Sequence, residues 1–174
     1  MRFTCAACGE EHDVEQVSFG AAAPLQWGLL SDDERARSSL SDEPCEIDSR
    51  EGTSDYIRAC LDIPIKGADR SFTWGVWCSL SQSSFAEMSA HWEASDRTSL
   101  GPYFGWLCTQ IPGYSDTAFL KTMVHQRPVG LRPSVRLEPT EHPLAVDQRL
   151  GIDRNRLVSI VSELIHQNDA TDAQ

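Results

Sequence analysis

No apolar run in this chain approaches the roughly 20 residues that a bilayer-spanning helix needs, so no membrane span is expected. The opening MRFTCAACGEEHD has neither the apolar core nor the cleavage pattern of a signal peptide, and the expected location is the cytosol. Positive charge is scarce. Lys and Arg total 15 against 26 Asp and Glu, for a formal net charge of −11. Nucleic acid and anionic membrane surfaces both call for a basic face, and both are disfavoured as partners. The acidic balance suits solubility or a basic protein partner. Also missing are a phosphate-cradling glycine loop, a G-x-S-x-G elbow, an H-E-x-x-H pair and any internal repeat. Six cysteines in a reducing compartment point to metal binding or core packing rather than to a disulfide framework.

What is present reads as one α+β domain over residues 1–167, followed by a frayed polar tail at 168–174. With 174 residues, 40% hydrophobic and 24% charged, the chain is long enough to bury a core. The most strand-like run is SFTWGVWCSLS at 71–81. Phe72, Trp74, Val76, Cys78 and Leu80 share one face, and Thr73, Gly75, Trp77 and Ser79 the other. YIRACLDIPI at 56–65 alternates in the same way, and the polar 66–70 connection has hairpin length. An antiparallel sheet of roughly four to six strands built around this hairpin, with helices mainly on one face, is the expected fold. The more apolar face holds Trp74, which should therefore be more buried than Trp77.

Around the hairpin, Ser31-Asp32-Asp33-Glu34 is a capping box that opens a short surface helix over 32–40. Residues 41–55 are acidic and read as irregular, with a turn at 49–52. A second capping box at Ser84 starts a helix over 85–94 with Phe85, Met88 and Trp92 on one face. Strands are expected at 103–111, 119–127 and 134–138, the last bounded by prolines and so placed at a sheet edge. Pro143 and Gly151 bracket a helix. Asp153 then caps another helix, whose apolar stripe is Leu157, Ile160, Val161, Leu164 and Ile165.

Cys5-Ala6-Ala7-Cys8-Gly9 is the one chemically pointed motif. A C-x-x-C turn sets two thiolates on one side of a knuckle, which is half of a structural zinc site. The candidates to complete it are His12 and Cys45, with Cys60 behind. Without metal the pair would be two reduced, half-buried thiols. A second stretch, His125 to His142, carries His125, Arg127, Arg132, Arg136, Glu138 and His142 on a proline-stiffened backbone. Arginines there could grip a carboxylate or phosphate, and a histidine beside a glutamate could act as a base. The same residues would equally make a strand whose charges pair with each other. Trp74, Trp77, Tyr103, Phe104 and Trp106 could line a pocket or fill the core.

The motifs Cys5-x-x-Cys8-Gly9-x-x-His12, Leu61-x-Ile63-Pro64, Phe72-x-Trp74-Gly75-Val76-Trp77 and Tyr103-Phe104-Gly105-Trp106-Leu107 recur together in a known series. The series continues through Pro112-Gly113-Tyr114, Leu120-Lys121-Thr122, Gly130-Leu131-Arg132-Pro133 and Leu137-Glu138-Pro139-Thr140-x-His142-Pro143-Leu144. On these residues the chain resembles a bacterial family known as domain of unknown function 2199, over nearly its whole length. Ala59 departs from the glycine that relatives tend to carry. The resemblance implies a bacterial cytosolic protein in which C-x-x-C-G belongs to the family pattern. It brings no established activity.

The function expected from the residues is that of a small binding or interaction module with a structural zinc knuckle and a protein partner. Two alternatives come from other classes. One is an enzyme acting on a small anionic substrate through 125–142. The other is an acidic inhibitor or immunity-type protein that neutralises a basic partner.

Overall fold

A computed structural model describes residues 2–5, 8–13 and 19–171. Its framework is the long hairpin of β6 (Gly52–Pro64) and β7 (Ser71–Leu80), paired in register from Asp55 opposite Leu80 to Pro64 opposite Ser71. Alternation sends Ile57, Ala59, Leu61 and Ile63 to the same side as Cys78, Val76, Trp74 and Phe72, their direct cross-strand partners. These side chains form the centre of the main core. β8 (Tyr103–Leu107), β9 (Lys121–His125) and β10 (Ser134–Leu137) follow as an antiparallel meander from β7. β10 then returns parallel to β6, with the Cys60 N–H donating to the Pro133 carbonyl at 2.8 Å. The five strands thus close into a barrel-like ring, β6-β7-β8-β9-β10-β6. A Cβ at Gly105 would lie 2.1 Å from the Ser79 carbonyl oxygen, so β8 can approach β7 only with glycine there.

Several expectations need correction. The sheet is mixed rather than antiparallel, because β10 runs parallel to β6 and β3 (Phe19–Gly20) runs parallel to β7. The 134–138 strand is no edge: β10 sits between β9 and β6. Its prolines flank it without removing a ladder donor. Where β10 diverges from β6, the Gln148 amide takes over, donating to the Val135 carbonyl (2.7 Å) and accepting from the Leu137 N–H (2.8 Å). Residues 41–55 are not irregular either. β5 (Pro44–Ser49) pairs with β6 through a tight turn, and β4 (Ser39–Leu40) pairs with β5. Acidic Glu46 and Asp48 face outward while Cys45 and Ile47 are buried, a two-residue alternation that the net acidity hides.

Trp77, at 0% exposure, is more buried than Trp74 at 3%. The second face of the hairpin carries its own cluster of Cys45, Ile47, Tyr56, Trp77 and Cys108. After β3 the chain crosses this face as a strap containing a 3-10 turn (Leu25–Leu29), and it packs Ala21, Trp27 and Leu30 on the cluster. The Trp77 indole N–H donates to the Ala21 carbonyl at 3.0 Å, so its polar edge is satisfied inside. Covering of both faces is why the two tryptophans do not divide into core and surface.

α1 (Asp32–Arg37) starts with the expected capping box and buries nothing. α2 (Gln82–Ala90) is capped by Ser81, three residues before the expected Ser84, and buries Met88. α3 (Pro143–Leu150) runs from Pro143 to a Gly151 cap at φ 75°, as its bracketing residues predict. α4 (Arg154–Thr171) is capped by Asp153, whose carboxylate accepts from the Arg156 N–H at 2.8 Å. Its stripe buries Leu157, Ile160, Val161 and Leu164 in the main core, with Ile165 packed beside them. Of the expected frayed tail, 172–174 lie outside the described residues. No helix among the described residues is long and apolar enough to cross a membrane.

One charged residue is built into the fold. Arg97 is 1% exposed, and its guanidinium donates to the carbonyls of Arg127 (2.7 Å), Leu131 (2.8 Å) and Trp92 while lying 4.7 Å from the Trp92 ring centroid. It ties the segment after α2 to the turn between β9 and β10.

Two substitutions test this packing by denaturant unfolding. Ile160→Ala should cost about 2–5 kcal/mol, and a loss well below that range would mean the α4 stripe is not docked. Arg97→Met should cost on the order of 3–5 kcal/mol, because three backbone carbonyls lose their shared, buried donor together. A near-neutral result would show that those carbonyls find other partners.

Candidate functional site

The N-terminal hairpin is where metal-binding chemistry converges. β1 (Arg2–Thr4) pairs antiparallel with β2 (Glu11–Asp13), setting Phe3 opposite His12. Between them the Cys5 N–H donates to the Glu10 carbonyl at 2.8 Å and the Gly9 N–H to the Cys5 carbonyl at 2.9 Å. Gly9 takes a φ of 75°, a left-handed turn that suits glycine and closes the knuckle. The strand pairing then carries His12 back over the cysteines. Cys8 Sγ lies 3.2 Å from His12 Nε2, and the donor atoms of Cys5, Cys8 and His12 all lie within 4.8 Å of one another. Phe3 is 7% exposed and Cys5 1%, and both belong to the main core, so the knuckle is rooted in the barrel rather than hanging from it. Arg154 of α4 also donates to the Arg2 carbonyl at 3.2 Å.

Two thiols and an imidazole are a donor set suited to zinc. Zn–S bonds of about 2.3 Å and Zn–N bonds of about 2.0–2.1 Å place tetrahedral donors roughly 3.5–3.8 Å apart. The Cys8–His12 contact of 3.2 Å is slightly shorter than this spacing, and all three donor atoms lie within 4.8 Å of one another.

Cys45, expected as a fourth ligand, does not join the group. Its place on β5 puts it in the second cluster, against Ile47, Tyr56, Trp77 and Cys108. Burial, aided by the Glu46 charge, pushes its thiol up to about 12, so it stays a neutral packing group. Cys60 lies on β6, where its backbone N–H donates to the Pro133 carbonyl, and its thiol does not join the group either. Among the described residues only Cys5, Cys8 and His12 form a compact metal-capable cluster.

The charged residues of 125–142 are dispersed. Arg132 makes a forked contact with Glu43, with Nε 2.9 and 3.1 Å from the two carboxylate oxygens and Nη2 2.9 Å from one of them. Arg127 donates to the Arg132 carbonyl and lies 3.9 Å from the Asp62 carboxylate. Glu138 pairs with Lys121 at 3.4 Å on the surface. His142 caps α3: its Nδ1 accepts from the Leu144 N–H at 3.2 Å, and its Nε2 sits 2.7 Å from the Ser115 carbonyl. These two roles fit a neutral ring that donates through Nε2. His125 faces out from β9, its pKa lowered by burial and by the nearby Arg136 charge. Arg136 is exposed beside a cleft of about 480 Å³ that also takes in Asp62, Gln148 and Arg149. The structure thus brings Arg127 beside Arg132 and His125 near Arg136, and it leaves Glu138 and His142 apart from both pairs.

Sequence reasoning missed Arg97 and Gln148, because each serves backbone groups brought together only by the barrel's closure.

No curated protein and no solved structure matches the chain. A family model does match, over residues 4–152, which includes the knuckle, the barrel strands and α3. The chain therefore belongs to the family described as an uncharacterised protein conserved in bacteria, DUF2199.

Proposed function

We propose that the chain is a small bacterial cytosolic binding module whose N-terminal hairpin is fastened by a zinc ion held by Cys5, Cys8 and His12. The carrying observation is the convergence of those three donor atoms within 4.8 Å at the foot of a short hairpin. Among the described residues that hairpin contributes Phe3 and Cys5 to the core, a modest apolar anchor that a bound metal would reinforce. Structural zinc supplies roughly 10–16 kcal/mol in small knuckles, which is ample to fix its conformation. A fourth donor outside this trio completes the tetrahedron. The enzyme reading of 125–142 gains less support. Arg127, Arg132, Glu138 and His142 are engaged with backbone or with opposite charges and do not face a common point. A net charge of −11 keeps a basic protein surface as the favoured partner.

Purified protein should carry about one zinc, and Cys8→Ser should lose it. Chelation should lower the melting temperature of the parent protein and leave that of Cys8→Ser unchanged. Cys45→Ala should retain the metal. Zinc-free protein whose stability ignores chelator, or zinc lost from Cys45→Ala as from Cys8→Ser, would contradict the three-donor site.

A further inference from the structure

Where β10 returns to β6, the ladder pairs Ser134 with Cys60 and then stops. In a parallel ladder that sets the Cys60 N–H on the Pro133 carbonyl, the next β10 groups on that edge are the Val135 carbonyl and the Leu137 N–H. Their natural partner is the peptide of Asp62. Both are taken instead by the Gln148 side chain of α3. The helix residue thus stands where Asp62 would pair, and the strands part into the cleft of about 480 Å³. Counting by twos from the Ser134–Cys60 pair puts Arg136 of β10 and Asp62 of β6 on one face of the sheet. It is the face turned away from Val135, Leu61 and the main core. Both residues line the cleft, from opposite strands, and Asp62 pairs with Arg127 rather than with Arg136.

Among the described residues the charges lining the cleft are those of Arg136, Arg149 and Asp62. They leave the cleft net positive in a chain of formal charge −11, a local reversal of sign. Arg136 is exposed, and no hydrogen bond or ion pair joins its guanidinium to another described residue. Arg149 Nη1 donates to the Thr140 carbonyl at 3.2 Å, which holds the side chain at the cleft and leaves the rest of its fork free. Asp62 is set as well. Its Oδ1 accepts from the Thr73 hydroxyl at 2.5 Å, while Oδ2 has Arg127 Nη1 at 3.9 Å, too long for a hydrogen bond. One oxygen of that carboxylate therefore keeps capacity for a donor. Two forked cations opposite one carboxylate match a ligand with two carboxylates and one ammonium. Pro64 and Pro139 line the same cleft and offer apolar surface to its carbon chain.

We propose that this cleft binds a small acidic amino acid, with its two carboxylates at Arg136 and Arg149 and its ammonium at Asp62. The site is independent of the zinc knuckle, since none of the residues that line it belongs to the N-terminal hairpin. Either reading can therefore fail without the other.

The test uses the full chain as purified, with L-glutamate and L-aspartate as probes. Glutarate and succinate are the controls, the same dicarboxylates without the ammonium. Titration calorimetry at constant ionic strength follows binding, and thermal melting follows the fold. At least one amino acid should bind saturably, and its matching control about tenfold more weakly or worse. Arg136→Gln and Arg149→Gln should each weaken binding by about tenfold or more. Both arginines are exposed, so these variants should melt as the parent does. Asp62→Asn keeps an acceptor for Thr73 and should erase the preference for the amino acid over its control. The proposal is overturned by no saturable binding of either amino acid, or by a control that binds as well as its amino acid. It is also overturned by parent-like affinity in either arginine variant, or by a preference over the control that survives Asp62→Asn.

Discussion

The β6–β7 ladder is the constraint on which the other elements depend. Both of its faces carry apolar clusters: Leu61 pairs with Trp74 on one side, and Tyr56 and Trp77 lie further along the ladder on the other. A hairpin of that kind cannot leave either face in water. The main face is buried by closing the sheet through β8, β9 and β10 and by docking α2, α3 and α4. The second face is buried by the strap that follows β3 and by β5. Ring closure needs two local devices, the glycine at 105 that lets β8 approach β7 and the Gln148 amide that serves β10 where β6 turns away.

Much of this was legible in the sequence because strict alternation leaves a strong pattern. The hairpin, the Ser31 capping box, the Pro143–Gly151 bracket and the α4 stripe all rest on local chemistry, and they appear at or near the expected residues. What escaped was decided by distant contacts. Trp77 was assigned the less buried face because its own strand mates are small and polar. The strap and β5 that cover it come from elsewhere in the chain. The parallel return of β10 to β6 has no signature in SVRLE itself, and the flanking prolines pointed to an edge.

The candidate metal site shows the same division. Cys5, Cys8 and His12 lie within eight residues of one another, and a hairpin turn suffices to gather them. Cys45 was attractive only as a cysteine in a loop without an anchor. Once that loop is recognised as β5, its anchor is the second core and its thiol is a packing group. The arginines of 125–142 were attractive as anion ligands. In the folded chain Arg132 instead meets Glu43, and Arg127 meets a carbonyl and Asp62, partners that only the tertiary structure supplies.

The central claim is that three residues of the first hairpin hold a zinc ion. X-ray absorption at the zinc edge of the purified protein tests it most directly. The account predicts a first shell of two sulfurs at about 2.3 Å and two lighter donors at about 2.0–2.1 Å, one of them an imidazole nitrogen. A shell with three or four sulfurs would bring in a cysteine that the fold holds elsewhere. That result, or a spectrum without histidine scattering, would contradict the site formed by Cys5, Cys8 and His12.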